Sequence, residues 1–387
     1  MEIILTPKGT IPKVPRWCWG RRNTKERRKN MTTKFLSLVD YPDLSPAYGL
    51  WSRYDPAAAP LRFQAGTLAQ AEAWQKNVRP RLREALGFSD LAPAALNPIL
   101  IERVEREEHI REKWLLQTWQ GARMPVYLLF PRAGKAPFPA VLALAGHGYG
   151  VKDIIGLWEN GEERLEPDGY QQEFGLALCR HGFLVVAPEI SCFGERQTDF
   201  GYLDQAFGQP VPTTCEQTAH LAFHLGGSVL GLRVHDALRL VDWLETRPEV
   251  DMRRLGAMGI SGGGMHTLFS TCLDERIRAC VISGYYSTFR DSLLAMSHCN
   301  CNFVPGLYRF GEMYDLIGLV APRPVLVEAG THDPIFPIAA VKRSVEIARA
   351  RVYRLWQAEA RFETDIFEGR HRVSGRRAYD FLKEKLA

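Results

Sequence analysis

From about residue 138 onward, short apolar runs alternate with helical stretches, and no other feature of this sequence constrains its fold as much. The runs fall at 140–145, 183–187, 255–260, 279–283, 325–329 and 362–367, and helical periodicity marks 169–181, 231–246, 262–273, 338–356 and 375–386. A strand that is apolar on both faces needs cover on both faces, so this rhythm predicts a mostly parallel sheet flanked by helices. Upstream, 99–108, 110–120 and 124–130 read as a β-meander turning at Gly121, which makes an α/β protein with a central sheet of about eight strands. No period of 20–50 residues marks a solenoid.

The motif Gly259-Ile260-Ser261-Gly262-Gly263 sits at the end of one apolar run and opens a helical stretch. A strand that turns sharply into a helix forces the central residue into a strained conformation, and flanking residues without Cβ relieve the clash. Ser261 then stands at a helix N-terminus, where peptide dipoles favour developing negative charge. A phosphate-cradling reading lacks the Gly-Lys-Ser/Thr ending of a P-loop and falls late in the strand series.

A serine hydroxyl is a weak nucleophile and needs a base held by an acid. In strand–turn–helix nucleophile architectures the chain order is Ser, then Asp or Glu, then His. Asp333 follows the run at 325–329 within Gly330-Thr331-His332-Asp333-Pro334, and His371 follows the run at 362–367 within Glu368-Gly369-Arg370-His371. Both fall just past strand C-termini, where open α/β sheets gather ligands. His332 competes weakly as a base, since it precedes the strand that should deliver one. His266 is expected to pack inside its helix, and Asp291, Asp315 and Asp365 are weaker candidates for the acid.

Such chemistry needs an oxyanion hole. One donor is expected from the Gly262 N–H, directly after the nucleophile. The second is expected from the Tyr149 N–H, in the loop Gly146-His147-Gly148-Tyr149-Gly150 after the run at 140–145. Aromatic and histidine side chains from that loop and from a later insertion, His147, Tyr285, Tyr286, His298 and Phe303, are expected to line the substrate pocket. A metal reading fails on spacing: His220 and His224 lack the Glu of H-E-x-x-H, and His298-Cys299-Asn300-Cys301 lacks a second ligand pair. The chemistry calls for no metal and no organic cofactor.

Ahead of the meander, Leu68, Ala71, Trp74, Val78, Leu82 and Leu86 recur at helical spacing, with Thr67 as N-cap, Gly87 as stop and Pro80 as a kink. The expected organisation is a basic, disordered extension at 1–30, an irregular and helical appendage at 31–98, and a catalytic domain at 99–387. Segments 190–230 and 284–318 are expected to form lid insertions over it.

The net charge of +5 invites a nucleic-acid reading, but residues 1–30 carry nine basic and two acidic side chains. The other 357 residues carry 40 basic and 42 acidic side chains, so no nucleic-acid partner is expected for the folded body. The apolar run Ile3-Ile4-Leu5 is too short for a secretory h-region, and no stretch approaches the ~18 apolar residues of a membrane span. Eight cysteines without paired spacing read as reduced thiols, which makes the cytoplasm the expected compartment.

With these residues in hand, the chain resembles the α/β-hydrolase superfamily, in its dienelactone-hydrolase, acetyl-xylan-esterase and prolyl-oligopeptidase-like branch. The resemblance covers residues from about 100 to the C-terminus. It rests on Gly148-Tyr149, Gly259–Gly263, Gly330-Thr331-His332-Asp333-Pro334 and Gly369-Arg370-His371, and the segment from Ser283 to Gly306 is similar to acetyl-xylan-esterase-like bacterial hydrolases. It implies an α/β-hydrolase fold and a serine carboxylic-ester hydrolase acting on small acetyl or short-chain esters. Ser261 is then the nucleophile, His371 the base, Asp333 its orienter, and Tyr149 and Gly262 the oxyanion donors. Two other readings stand beside it: a prolyl-oligopeptidase-like peptidase, and a non-catalytic binding protein on a hydrolase fold.

Overall fold

The computed structural model describes residues 36–197 and 214–387. The expected basic extension at 1–30 and the middle of the first expected lid insertion lie outside the described residues. The chain divides into two compact units, the first ending at Tyr54 and the second running from Asp55 to Ala387. This division falls within the segment 31–98. In the first unit a 3₁₀ turn, Pro42–Leu44, precedes α1 (Pro46–Arg53); each has Pro at its start, and neither buries a residue.

The second unit holds one nine-stranded sheet. Its strands in chain order are β1 (Ile99–Glu105), β2 (His109–Trp119), β3 (Ala122–Pro131), β4 (Phe138–Leu144), β5 (Leu184–Pro188), β6 (Val250–Ile260), β7 (Ala279–Ser283), β8 (Val325–Gly330) and β9 (Phe362–Phe367). Their spatial order is β1-β2-β3-β5-β4-β6-β7-β8-β9. The meander and its pairing with β5 are antiparallel, whereas β4 to β9 pair in parallel. Every expected strand is present, in an α/β-hydrolase architecture; the helix expected at 169–181 starts only at Phe174, and the one expected at 338–356 is α-helical only to Ile347 before passing into π and 3₁₀ turns.

The helices are α2 (Leu68–Leu86), α3 (Phe174–Arg180), α4 (Cys215–His224), α5 (Val229–Leu244), α6 (Gly262–Leu273), α7 (Met313–Leu316), α8 (Ile338–Ile347) and α9 (Ala378–Lys385). Successive β4 side chains face opposite ways, as the period of two demands. Ala140, Leu142 and Leu144 join α2, α5, α6 and α8 in one core, and Val141 and Ala143 join α3 and α9 in a second. The doubly apolar runs are thus explained by two cores, one on each face.

Helix α2 starts at Thr67, whose hydroxyl accepts from the Gln70 N–H at 3.3 Å, and stops at Gly87 with φ 84°. It runs through Pro80 and buries Ala71, Val78, Leu82 and Leu86. Arg79 donates to the carbonyls of Cys272 and Leu319, so this helix is bonded to the body as well as packed on it. Among the described residues no helix is long and apolar enough to cross a membrane.

The strand order reverses at β4, with β5 on one side and β6 on the other. Loops leaving adjacent strands in opposite directions open a crevice at such a point. The loops after β4 and β6 carry the 146–150 segment and Ser261.

Candidate active site

Ser261 lies between β6 and α6 with φ 57° and ψ −120°, a conformation that side-chain-bearing residues seldom adopt. Its N–H donates to the Ser283 carbonyl at 3.0 Å, and its own carbonyl accepts from the Met265 N–H at 2.9 Å. The turn is tight enough to demand its glycines. A Cβ on Gly259 would lie 2.7 Å from the Leu144 carbonyl oxygen, and one on Gly263 would strike that same oxygen. The residue is 8% exposed, at the start of a helix whose first N–H groups have no intrahelical acceptor.

Asp333 and His371 meet across the loops after β8 and β9. His371 Nδ1 donates to Asp333 Oδ2 at 2.6 Å, while Oδ1 accepts the N–H groups of Ile335 at 2.9 Å and Phe336 at 3.1 Å. These bonds fix the carboxylate and leave the proton on Nδ1. The two loops are joined by main-chain bonds, Thr331 N–H to the Phe367 carbonyl and His332 N–H to the Gly369 carbonyl. The imidazole is held between two rings, Tyr170 at 5.3 Å and Phe336 at 5.7 Å, both stacked. His371 Nε2 is buried and has no hydrogen-bond partner among the described residues.

Ser261 joins this group through Tyr170. The Tyr170 hydroxyl donates to the His147 carbonyl at 2.7 Å and lies within hydrogen-bonding reach of the Ser261 side chain. Burial pushes the phenol well above its ordinary pKa, so it stays protonated. Neither Tyr170 nor Phe336 was singled out from sequence. Tyr170 falls in the stretch expected to be helical from 169, but the helix starts only at Phe174 and leaves it in the preceding turn, and Phe336 three residues after Asp333 offered only its proximity.

The remaining acid and base candidates are accounted for elsewhere. His332 is exposed. His266 is buried with Nε2 against the Arg233 carbonyl at 2.7 Å, and burial lowers its pKa to about 3. Asp365 pairs with Arg376, Asp291 pairs with Arg343, and Asp315 caps α7.

The loop after β4 is braced from below. Gly146 N–H donates to Gln171 Oε1 at 2.6 Å, and Val151 N–H to Oε1 of the buried Glu189 carboxyl group at 3.0 Å. Gly150 has φ 103°, and a Cβ there would lie 2.6 Å from Glu189 Oε1. The Tyr149 hydroxyl donates to the Leu157 carbonyl at 2.9 Å and accepts from Arg164 at 2.8 Å, so its side chain turns away into the protein. Arg164 also pairs with Asp153 and Glu173, both mostly buried. No hydrogen bond occupies the Tyr149 N–H among the described residues.

A second carboxylate braces the histidine side. Glu328, fully buried at the end of β8, accepts from Ser283 Oγ at 2.7 Å, Ser374 N–H at 2.8 Å and Gly375 N–H at 3.0 Å. Desolvation raises its pKa. A carboxylate inside an otherwise apolar run was the signal available in the sequence, because burying one is costly unless it is well paired.

The expected pocket residues separate. His147 lies over the elbow, with its ring 3.0 Å from where a Cβ on Gly262 would stand. His298 and Tyr285 pack on Phe336 at 5.5 and 5.4 Å, and burial lowers the His298 pKa to about 4. Tyr286 is buried against Phe362 and Phe303 is half-buried, so Tyr286 is a core residue and not a pocket wall. The spacing argument against a metal also needs revision. Nearby, ligating atoms of His147, Cys215, Cys299 and Cys301 all lie within 4.8 Å of one another.

A strained serine joined through Tyr170 to a histidine–aspartate pair, on loops after strands of one mixed sheet, agrees with the relatives of this chain. A family model described as the abhydrolase family matches residues 58–371. The chain belongs to that abhydrolase family. YtaP of Bacillus subtilis (strain 168), a hydrolase by name, is 28% identical over 275 residues, covering 68% of this chain and 83% of that protein. Among solved structures, a Bacteroides fragilis NCTC 9343 protein assigned as an acetyl xylan esterase superposes with TM-score 0.69 at 18% identity, covering 88% of this chain and 84% of the other. A glucuronoyl esterase from Solibacter usitatus superposes with TM-score 0.58 at 16% identity, covering 82% and 94%. At such identities the superpositions speak for the abhydrolase fold alone.

Proposed function

We propose that this abhydrolase is a serine carboxylic-ester hydrolase that works through an acyl-enzyme. The observation that carries the proposal is Ser261 in its strained turn, linked through Tyr170 to a His371 whose Nδ1 is bound by Asp333 and whose Nε2 is unengaged. Ser261 Oγ attacks the ester carbonyl while His371 Nε2 takes its proton. The N–H groups of Gly262 and Tyr149 receive the oxyanion, a contribution commonly worth about 10²–10³ in rate. His371 then gives the proton to the leaving alcohol, water attacks the acyl-enzyme with His371 again as base, and the acid departs. Asp333 stays ionised throughout and steadies the imidazolium.

Tyr170 lies against the nucleophile and His147 against Gly262, the residue after it, which favours a small acyl group such as acetyl. The acetyl xylan and glucuronoyl esterases of similar fold agree with ester chemistry on carbohydrate-borne groups. Hydrolysis of p-nitrophenyl acetate, butyrate and octanoate by the wild type and by Ser261→Ala tests the proposal. The expected outcome is a preference for acetate and a loss of about 10⁴–10⁶ in kcat for the variant. Turnover that survives Ser261→Ala removes the nucleophile assignment.

A further inference from the structure

The four ligating side chains beside the elbow come from three separate parts of the chain. His147 follows β4, Cys215 is the first residue of α4, and Cys299 and Cys301 flank Asn300 at the 3₁₀ turn Asn300–Asn302. His147 Nε2 lies 3.4 Å from Cys301 Sγ, and all four ligand atoms fit within 4.8 Å. A tetrahedral zinc ion, at about 2.3 Å from sulfur and about 2.0–2.1 Å from nitrogen, sets neighbouring ligands roughly 3.5–3.8 Å apart. Side-chain rotations of about 1 Å therefore close the set on such an ion.

The surroundings supply the matching charge. Arg233 is 1% exposed; its Nη2 donates to Cys215 Sγ at 3.3 Å and to the Ser191 carbonyl at 3.0 Å. Its Nε and Nη1 have no partner among the described residues, although an unpaired buried guanidinium is costly. Three thiolates and a neutral imidazole around a dication carry one net negative charge, which this guanidinium offsets. The Arg233 guanidinium also lies 5.2 Å above the Phe193 ring, and Phe193 stands edge-on to His147 at 5.3 Å.

We propose that His147, Cys215, Cys299 and Cys301 bind a structural zinc ion that ties the two chain insertions to the oxyanion loop. Four protein ligands leave no open position, as in zinc sites that stabilise and do not react. Binding releases three thiol protons, so the dication and three neutral thiols become one monoanionic centre and three hydrogen ions. Metal on Nε2 fixes the imidazole proton on Nδ1, on the side of the ring that faces Gly262. His147 lies two residues before Tyr149, so the ion would hold the main chain that the proposed function assigns to oxyanion binding. The site itself does not depend on that assignment.

The test is metal content of the full chain purified from zinc-supplemented medium, with cobalt(II) uptake by the chelator-stripped protein as a second readout. About one zinc per chain is expected, together with the intense visible bands of a tetrahedral cobalt thiolate. Cys301→Ser and Cys299→Ser should each lose the metal, whereas Cys179→Ser, buried in α3, should keep it. Stripping should lower the thermal midpoint by roughly 10 °C. A wild-type protein that takes up neither zinc nor cobalt overturns the proposal, as does metal retained in both serine variants. So does an intact mass two hydrogens short of the reduced chain, since Cys192 also lies against Cys215 and a disulfide would consume that ligand. If the variants fail to fold, the wild-type cobalt spectrum decides alone. Esterase activity enters none of these readouts, so failure here leaves the Ser261 experiment standing, and the reverse.

Discussion

The two sides of the site are held by different means. On the proposed acid–base side, Asp333 and His371 sit on loops that continue adjacent strands, and main-chain bonds from Thr331 and His332 stitch those loops together. On the proposed oxyanion side, the loop after β4 is held by side chains from elsewhere: Gln171, Glu189, Tyr170 and the proposed zinc ligands. Geometry made by strand order needs only local sequence to persist. Geometry made by distant side chains can be loosened one contact at a time.

Asp333→Asn should do the greatest damage after loss of the nucleophile itself. An amide at this position can offer its NH₂ to His371 and stabilise the wrong tautomer, and kcat should fall by about 10⁴ with KM little changed. A drop smaller than tenfold would mean that the carboxylate does not orient the base. Glu328→Gln should act more gently on the same side. Its amide nitrogen faces a donor from Ser283, Ser374 or Gly375, a mismatch worth about 1–3 kcal/mol. A lower melting temperature with kcat reduced about tenfold and KM unchanged is expected. An unchanged kcat would confine Glu328 to stability.

What could be read from sequence follows the same division. The strands and helices were legible because two cores impose apolar runs on the strands and a 3.6-residue period on the helices. The proposed triad of Ser261, Asp333 and His371 could be put forward from sequence because each follows a strand in the order this architecture requires. The cysteine–histidine cluster was not, since zinc spacing rules describe ligands that are near in sequence and here only Cys299 and Cys301 are. Tyr170 was hidden for a different reason: it reads as the first turn of a helix expected from 169, whereas the helix starts at Phe174, and its place between His147, Ser261 and His371 comes from the fold alone. Tyr286 misled because an aromatic beside a glycine turn reads alike whether it faces a pocket or, as here, Phe362.

The last prediction separates the two sides by pH and is read in stability alone. Burial raises the Glu189 pKa from its ordinary value of 4.5 to about 8, despite the amides of Val151 and Glu195 that favour its charged form. The folded state therefore holds a proton that the unfolded chain releases above pH 4.5. Stability from this group is complete below pH 4.5 and is lost as pH rises through about 8, at no more than about 1.4 kcal/mol per pH unit. Glu189→Gln keeps the shape of the neutral acid and cannot ionise, so the variant should gain on the wild type steadily from about pH 5 to pH 8. The check is thermal unfolding of both proteins across that range. Parallel curves would mean that Glu189 is already ionised beneath the loop. The oxyanion side would then rest on a charged acceptor, as the acid–base side rests on Asp333.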